Sequence, residues 1–114
     1  MPLERDIQSW LCRELKKLDG VWFMNTTSSG MQRRSIPDIL GCRKGLAFAV
    51  ELKTKTGRLK ALQRKELEEF AAAGGLALVA WGKEGAQAAL DAIQGDVKER
   101  ERCLEKVRKP SSRN

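Results

Sequence analysis

Two acidic residues and a lysine stand in positions where a small domain normally places apolar side chains. Asp38 lies in the apolar run "IPDIL", and Glu51 interrupts a second apolar run, "LAFAVELK". Lys53 follows two residues after Glu51. Burying two carboxylates is costly unless each is protonated, paired with a cation or bound to a metal. The alternative is a surface hairpin whose acids are merely solvated, and the flanking apolar residues disfavour it.

The spacing of these residues places them together in a hairpin. If Lys44-Gly45 forms a two-residue turn, the register of the hairpin sets Asp38 directly opposite Glu51. Their Cβ atoms would then lie roughly 4.5–5.5 Å apart. Lys53 shares the face of Glu51 because side chains alternate along a strand. We therefore expect the three charged groups to lie close to one another.

Three arrangements would justify a close carboxylate pair: a shared proton, a salt bridge with Lys53, or a bound divalent cation. A shared proton suits acid–base chemistry on neutral substrates, and strongly basic surroundings disfavour it. Carboxylate oxygens are hard ligands that suit magnesium or manganese. Such an ion can activate water and neutralise charge on a phosphate. In that case Lys53 would stabilise the attacking water or the charge of the transition state.

The charge of the chain indicates a polyanionic partner. The 114 residues carry a formal net charge of +7, which favours nucleic acid. Six cations and no acid lie in one segment, namely Lys53, Lys55, Arg58, Lys60, Arg64 and Lys65. Four more lie close in sequence to the acidic pair, namely Arg33, Arg34, Arg43 and Lys44. The candidate phosphate contacts, which would make affinity salt-dependent, are Arg33, Arg34, Lys55, Arg58 and Lys60. The alternative for each is ordinary solubilising charge.

The composition excludes several classes of protein. The sequence has no histidine, which excludes the common Ser-His and Cys-His nucleophile systems. Its three cysteines, Cys12, Cys42 and Cys103, lie far apart without a CxxC pair, which disfavours a disulfide framework or a zinc site. No apolar run approaches the ~18 residues of a membrane span. The opening "MPLERDIQ" is too charged for a signal peptide, so we expect a protein of the reducing cytoplasm.

The elements that position these groups follow from the hydrophobic pattern. In chain order it predicts a helix over 3–18, strands over 21–25, 36–40 and 46–53, a helix over 59–73, a strand over 76–81 and a helix over 84–94. Residues 26–35 are predicted as a polar loop, and Gly74-Gly75 should end the second helix. This order predicts an α/β fold with an antiparallel hairpin at its centre and a crossover to the last strand.

The length of the chain predicts one domain over residues 1–95, followed by a charged tail over residues 96–114. The tail has three apolar residues at weakly helical spacing, Val97, Leu104 and Val107. We expect the tail to be partly helical and its end to be disordered. Three tryptophans are interpreted as core residues rather than base-stacking platforms, namely Trp10, Trp22 and Trp81.

A family resemblance rests on the segment "PDILG…VELKTKTGRLKALQ". Its Pro37-Asp38 and Glu51-Leu52-Lys53 resemble the signature of the PD-(D/E)XK nuclease superfamily. More narrowly, the segment resembles the virus-type replication-repair nuclease domain, VRR-NUC. Further matching features are "ERDIQ" at 4–8, Gly57, Leu59, Gln63, Gly74-Gly75 and "LALVAW". The likeness spans about residues 4–82. Ser35 departs from it, because a glycine is expected two residues before the proline.

The resemblance implies a restriction-endonuclease-like αβββαβ core, with a mixed sheet flanked by helices. It implies hydrolysis of DNA phosphodiester bonds that depends on Mg2+ or Mn2+. The implied metal-site residues are Glu4, Asp38 and Glu51, with the Leu52 carbonyl as a further ligand. The implied catalytic residues are Asp38, Glu51, Lys53 and Gln63. The resemblance also implies homodimers that act on branched DNA such as four-way junctions. We expect the protein in the cytoplasm of a bacterium or of a phage-infected host.

Helical periodicity tests two of the implied residues. Gln63 falls on the inward face of its helix, where it is either a satisfied core amide or a site residue aimed at the strand of Glu51 and Lys53. Glu4 lies in the apolar arc of the first helix, and Glu14 does too, so only the resemblance favours Glu4. Two other functions stay open: a non-catalytic nucleic-acid-binding module on the same fold, and a restriction-type or nicking nuclease.

Overall fold

The computed structural model describes residues 3–28 and 35–95. Their elements, in chain order, are helix α1 (Glu4–Lys16), strand β1 (Val21–Asn25), a short 3-10 helix (Thr26–Ser28), strands β2 (Ile39–Arg43) and β3 (Leu46–Lys53), helix α2 (Ala61–Ala72), strand β4 (Leu76–Trp81) and helix α3 (Gly82–Gln94). The predicted α/β order of helix, three strands, helix, strand and helix is confirmed. The largest boundary error is in β2, which was predicted over 36–40 and lies three residues later along the chain. Helix α1 ends two residues earlier than predicted, α2 begins two residues later and α3 begins two residues earlier.

The four strands form one mixed sheet in the order β1-β2-β3-β4. The first three strands are antiparallel, and β4 runs parallel to β3 after a crossover through α2. Helix α2 ends before Gly74, which takes a φ of 107° that a residue with a side chain rarely adopts. The antiparallel hairpin and the crossover are therefore as predicted.

The turn between β2 and β3 sets the register of the hairpin. Lys44 and Gly45 have φ angles of 49° and 87°, the two positive values that a type I′ turn requires. The ladder runs from Arg43↔Leu46 to Ile39↔Val50, which confirms the predicted register. Asp38 lies one residue beyond the last pair, so the same register brings it beside Glu51.

One face of the sheet carries the hydrophobic core. Alternate residues of β3, Phe48, Val50 and Leu52, are at most 1% exposed and belong to the core cluster. Helices α1 and α3 cover this face with the buried residues Ile7, Leu11, Leu15, Ala86, Ala89, Leu90 and Ile93. Each large apolar side chain buried there contributes about 1.5–3 kcal/mol to folding. Since successive residues point to opposite faces, the core leaves Glu51 and Lys53 on the second face.

Helix α2 covers the second face only in part. Leu67 and Ala71 are its only buried residues. Trp22 and Trp81 share this face with Glu51 and are 64% and 42% exposed. The interpretation of these two tryptophans as core residues was therefore wrong. Trp10 packs against the core, with the Lys83 ammonium 4.7 Å from the centre of its ring.

Several predictions fall on residues 29–34 and 96–114, which lie outside the described residues. These are the phosphate contacts Arg33 and Arg34, the partly helical tail with its three apolar residues, and Cys103. The boundary between a nuclease domain at 1–95 and a tail at 96–114 stays a prediction. Within residues 3–28 and 35–95, no helix is long and apolar enough to cross a membrane.

Candidate active site

The acidic pair lies at one end of the central hairpin. Asp38 precedes the first residue of β2, and Glu51 and Lys53 lie in the last three positions of β3. The Asp38 Oδ2 accepts a hydrogen bond of 2.8 Å from the backbone N–H of Leu52. This bond fixes the carboxylate of Asp38 against β3, beside the carboxylate of Glu51. The parallel strands β3 and β4 both end here, and such ends are common ligand-binding positions in α/β proteins.

A buried threonine holds the backbone at Asp38. Thr26 is 4% exposed, and its hydroxyl lies 2.7 Å from the carbonyl oxygen of Pro37 and 3.1 Å from that of Asp38. The backbone N–H of Thr26 also donates to the Asp38 carbonyl at 2.9 Å. Three contacts thus tie the residue after β1 to the two residues before β2. Thr26 is predicted as part of a polar loop, and its role could not be predicted, since a contact across eleven positions leaves no periodic signal in the sequence.

An asparagine connects this segment to helix α1. The Asn25 Oδ1 accepts hydrogen bonds from Gln8 Nε2 at 2.8 Å, from the backbone N–H of Thr27 at 3.0 Å and from the Thr27 hydroxyl at 2.6 Å. Gln8 is only 8% exposed, although its side chain is polar. Its one weak signal in the sequence is a polar residue next to the apolar stripe of Ile7 and Leu11. The contact links α1 to the segment that positions Asp38.

Glu51 is the buried centre of the site. It is 4% exposed, and its Oε2 is approached by the Lys53 ammonium at 3.5 Å and by Gln63 Nε2 at 3.0 Å. The other end of the Gln63 amide accepts the backbone N–H of Lys60 at 2.9 Å. Both ends of this amide are therefore occupied, and its orientation is fixed. Of the two interpretations left open for Gln63, the geometry places it against Glu51.

Burial dominates the electrostatics of the pair. The pKa of Glu51 is raised to about 7, first by burial and then by the charges of Asp38 and Glu4, while the charge of Lys53 and its hydrogen bond lower it. Burial also raises the pKa of Asp38, against the lowering effects of the Leu52 N–H, the charge of Lys53 and a hydrogen bond with Glu51. Each carboxyl group affects the pKa of the other, so the protons belong to the pair. Part of the population of the pair still carries a proton close to neutral pH. A cation bound between them would displace that proton.

The donor set suits a hard cation. Asp38 and Glu51 supply two carboxylates in mutual contact, and Mg2+ typically binds one or two carboxylates while keeping several waters. Among the described residues, no three His, Cys, Asp or Glu side chains lie close enough together to hold a metal ion. Glu4 acts on the pKa of Glu51 without completing such a cluster, and Glu14 pairs with Lys17 at 2.9 Å instead. A site that includes Glu4 and the Leu52 carbonyl stays a prediction.

The basic residues divide into two groups. Lys55, Arg58 and Lys60 are exposed on the segment that joins β3 to α2, at the same end of the sheet as Glu51. Arg43 and Lys44 lie at the other end of the hairpin, about 16 Å along the strand. There the Arg43 guanidinium donates to the Asp19 carbonyl at 3.0 Å, and the Lys44 ammonium lies 3.6 Å from the Asp19 carboxylate. Arg43 and Lys44 are therefore close to the acidic pair in sequence but not in space, because they lie at the opposite end of the hairpin.

Comparison with known proteins gives one family and several similar folds. The family model described as archaeal Holliday junction resolvase (hjc) matches residues 3–113. A solved VRR_NUC domain is 21% identical, with a TM-score of 0.64, over 77% of this chain and 94% of that chain. A VRR_NUC domain protein is 17% identical, with a TM-score of 0.63, over 84% and 93%. These two share the fold.

A third solved structure is Hjc, a Holliday junction resolvase from the archaeal hyperthermophile Archaeoglobus fulgidus. It is 27% identical, with a TM-score of 0.45, over 68% of this chain and 63% of that chain. A search of curated proteins found no match. The family match extends through the predicted nuclease domain and most of the predicted tail.

Proposed function

Since the chain belongs to the archaeal Holliday junction resolvase family and has the fold of a VRR-NUC nuclease domain, we propose that it is a divalent-metal-dependent endonuclease of branched DNA. The observation that carries this proposal is the contact of the half-buried Asp38 with the buried Glu51, with the Lys53 ammonium 3.5 Å from Glu51. The substrate we favour is the four-way junction, and the reaction is hydrolysis of a phosphodiester bond.

Asp38 and Glu51 would hold the metal ion, and Glu4 and the Leu52 carbonyl are the further ligands we propose. A magnesium or manganese ion bound there supplies a Lewis acid that activates water and neutralises charge on the phosphate. Hydrogen bonds within the chain hold the two carboxylates in position for this ion. The Leu52 N–H fixes the Asp38 carboxylate, and the Gln63 amide fixes the Glu51 carboxylate.

Lys53 supplies the positive charge that is not part of the ligand set. Its side chain is 11% exposed, so its ammonium acts in a poorly hydrated environment where electrostatic interactions are strong. We propose that it stabilises the negative charge that develops on the phosphate during hydrolysis. The exposed cations after β3, Lys55, Arg58 and Lys60, would contact flanking phosphates, as would Arg33 and Arg34.

The symmetry of the substrate favours a homodimer. A four-way junction is two-fold symmetric, so paired cleavage needs two active sites related by a two-fold axis. One chain offers a single Asp38–Glu51 pair. Wild-type protein that has exchanged subunits with excess Asp38→Asn should therefore nick a cruciform plasmid without linearising it. Light scattering that finds only a monomer, with and without DNA, would contradict the dimer and leave the nuclease proposal standing.

The substrate and the metal are tested together by one panel of reactions. Labelled linear, flapped and four-way-junction DNA are incubated with the protein in magnesium, in manganese and in EDTA. We expect cleavage of the junction with either metal and none in EDTA. Binding without cleavage in every metal would favour the non-catalytic module, which the presence of Asp38, Glu51, Lys53 and Gln63 disfavours. Equal cleavage of linear DNA would favour a restriction-type or nicking nuclease.

A further inference from the structure

Trp81 lies beside the proposed catalytic lysine. Lys53↔Trp81 is the last pair of the parallel ladder between β3 and β4, so the two Cα atoms are about 4.8 Å apart. The pair Glu51↔Val79 precedes it by two residues, which puts all four side chains on the same face of the sheet. The indole therefore lies at the edge of the acidic site, on the face of the sheet that carries Glu51 and Lys53.

The ring of Trp81 is held in place while much of it stays exposed. Its Nε1 donates a hydrogen bond of 2.8 Å to the carbonyl of Gly57, whose own N–H closes a turn onto the Thr54 carbonyl at 2.9 Å. The residue is nevertheless 42% exposed. Because its one polar atom is bonded, the exposed part of the side chain is apolar. The site thus presents an oriented aromatic surface to solvent.

The surroundings of this ring are basic. The turn that Trp81 anchors belongs to the segment with the exposed cations Lys55, Arg58 and Lys60. Lys55 lies against the residue after the tryptophan, since a Cβ added at Gly82 would be 3.7 Å from its Cγ. An aromatic ring among cations is the combination with which proteins hold unpaired nucleotides, because every base has a face that can stack and every linkage has a charge.

We propose that Trp81 is a stacking platform for a base next to the scissile phosphate. This inference rests on the proposed function and narrows its substrate class. Bases inside a continuous duplex already stack on each other and offer no free face. A base at a branch point can leave its stack, so a ring at this position favours DNA that is interrupted there. Loss of one such stacking contact lowers affinity by about 5- to 150-fold.

Trp22 provides a matched control within the same chain. It lies on the same face of the sheet and is more exposed, at 64%. It stands on the far edge strand β1, three strands from β4, and it pairs with Cys42 near the opposite end of the hairpin. If exposure alone allowed a base to stack, Trp22 would do so at least as well as Trp81.

Tryptophan fluorescence tests the platform directly, without cleavage. The sequence has three tryptophans, so Trp10→Phe with Trp22→Phe leaves Trp81 as the single emitter, and Trp10→Phe with Trp81→Phe leaves Trp22. Each protein is titrated in EDTA with a four-way junction and with a duplex of the same sequence. We expect the junction to quench Trp81 several-fold more than the duplex does, and to leave Trp22 unchanged. Equal quenching of both residues, or none of Trp81, would overturn the proposal.

Two substitutions distinguish stacking from anchoring of the turn. Trp81→Phe keeps an aromatic face but loses the hydrogen bond to Gly57, whereas Trp81→Leu loses both. We expect Trp81→Phe to bind the junction within about 3-fold of wild type and Trp81→Leu to lose about 5- to 150-fold. Equal losses in the two variants would show an anchor and refute the platform. These are binding measurements, so they stand apart from any failure of metal-dependent cleavage.

Discussion

The Gln63 side-chain amide donates a hydrogen bond of 3.0 Å to Glu51 Oε2 and joins the first turn of α2 to the end of β3. Through its other end it accepts the Lys60 N–H. The helix that follows the basic segment is thereby connected to the carboxylate that we propose as a metal ligand. Groups that orient a metal ligand in this way typically contribute 10- to 100-fold to metal affinity or activity.

Replacement of Gln63 should therefore damage the chemistry more than the fold. We expect Gln63→Ala to lower the cleavage rate by about 10- to 100-fold, because the Glu51 carboxylate loses its fixed orientation. The measurement is single-turnover cleavage of a junction at saturating magnesium. Gln87→Ala is the matched control, since Gln87 makes a similar hydrogen bond of 3.0 Å to Asp91 on the exposed face of α3. Similar losses in both variants would contradict the proposed role.

Thr26 should matter through its hydroxyl group. Thr26→Val keeps the shape of the side chain but removes the hydroxyl donor of the Pro37 carbonyl, which costs about 1–3 kcal/mol, while the Asp38 carbonyl keeps the backbone N–H of residue 26. We expect a lower melting temperature and slower cleavage, and Thr26→Ser should restore both. Thr27→Val is the control, since the Thr27 hydroxyl is exposed and, within the described residues, donates only to the Asn25 side chain. A fully active Thr26→Val would show that Asp38 does not need this support.

The geometry of the hairpin was predictable from sequence, whereas its support was not. Lys44-Gly45 has the composition of a tight turn, and the period of two along each strand then places Asp38 beside Glu51. The contacts of Thr26 and Asn25 are tertiary hydrogen bonds between separate elements, and no local pattern encodes them. They form only where separate elements of the fold pack side by side.

The exposure of Trp81 shows a second limit of sequence analysis. The run "LALVAW" is apolar on both faces, which is typical of a strand buried on both sides. Helix α2 covers the second face incompletely, so the last residue of the run remains exposed. How much of a sheet a helix covers depends on how the helix packs, and hydrophobicity alone does not determine it.

The stability of the metal-free protein should depend on pH through Glu51. Its pKa rises from the ordinary value of 4.5 to about 7 on folding. Between these values the folded protein binds more protons than the unfolded chain, so the free energy of unfolding should fall as pH rises. Melting temperatures in EDTA from pH 4.5 to 8 measure this fall, and Glu51→Gln should flatten it. A wild-type curve parallel to that of Glu51→Gln would contradict the assignment.

Lys53 and the exposed cations should separate chemistry from binding. We expect Lys53→Ala to lower the single-turnover rate by about 100-fold or more while affinity for the junction changes little. The pH–rate profile of Lys53→Ala should also shift to higher pH, because Lys53 lowers the pKa of Glu51 in the wild-type protein. Arg58→Ala should instead weaken binding and reduce the slope of log affinity against log salt by up to about one unit. An unchanged rate in Lys53→Ala with weaker binding would make the lysine a phosphate contact only.

The most direct test of the account measures cleavage and binding of a four-way junction by the Asp38→Asn and Glu51→Gln variants. With magnesium, each should cleave at least about two orders of magnitude more slowly than wild type, since the metal loses a charged ligand. In EDTA, each should bind the junction as tightly as wild type, and Glu14→Gln should match wild type in both measurements. Cleavage by either variant at the wild-type rate would contradict the claim that Asp38 and Glu51 form the active site.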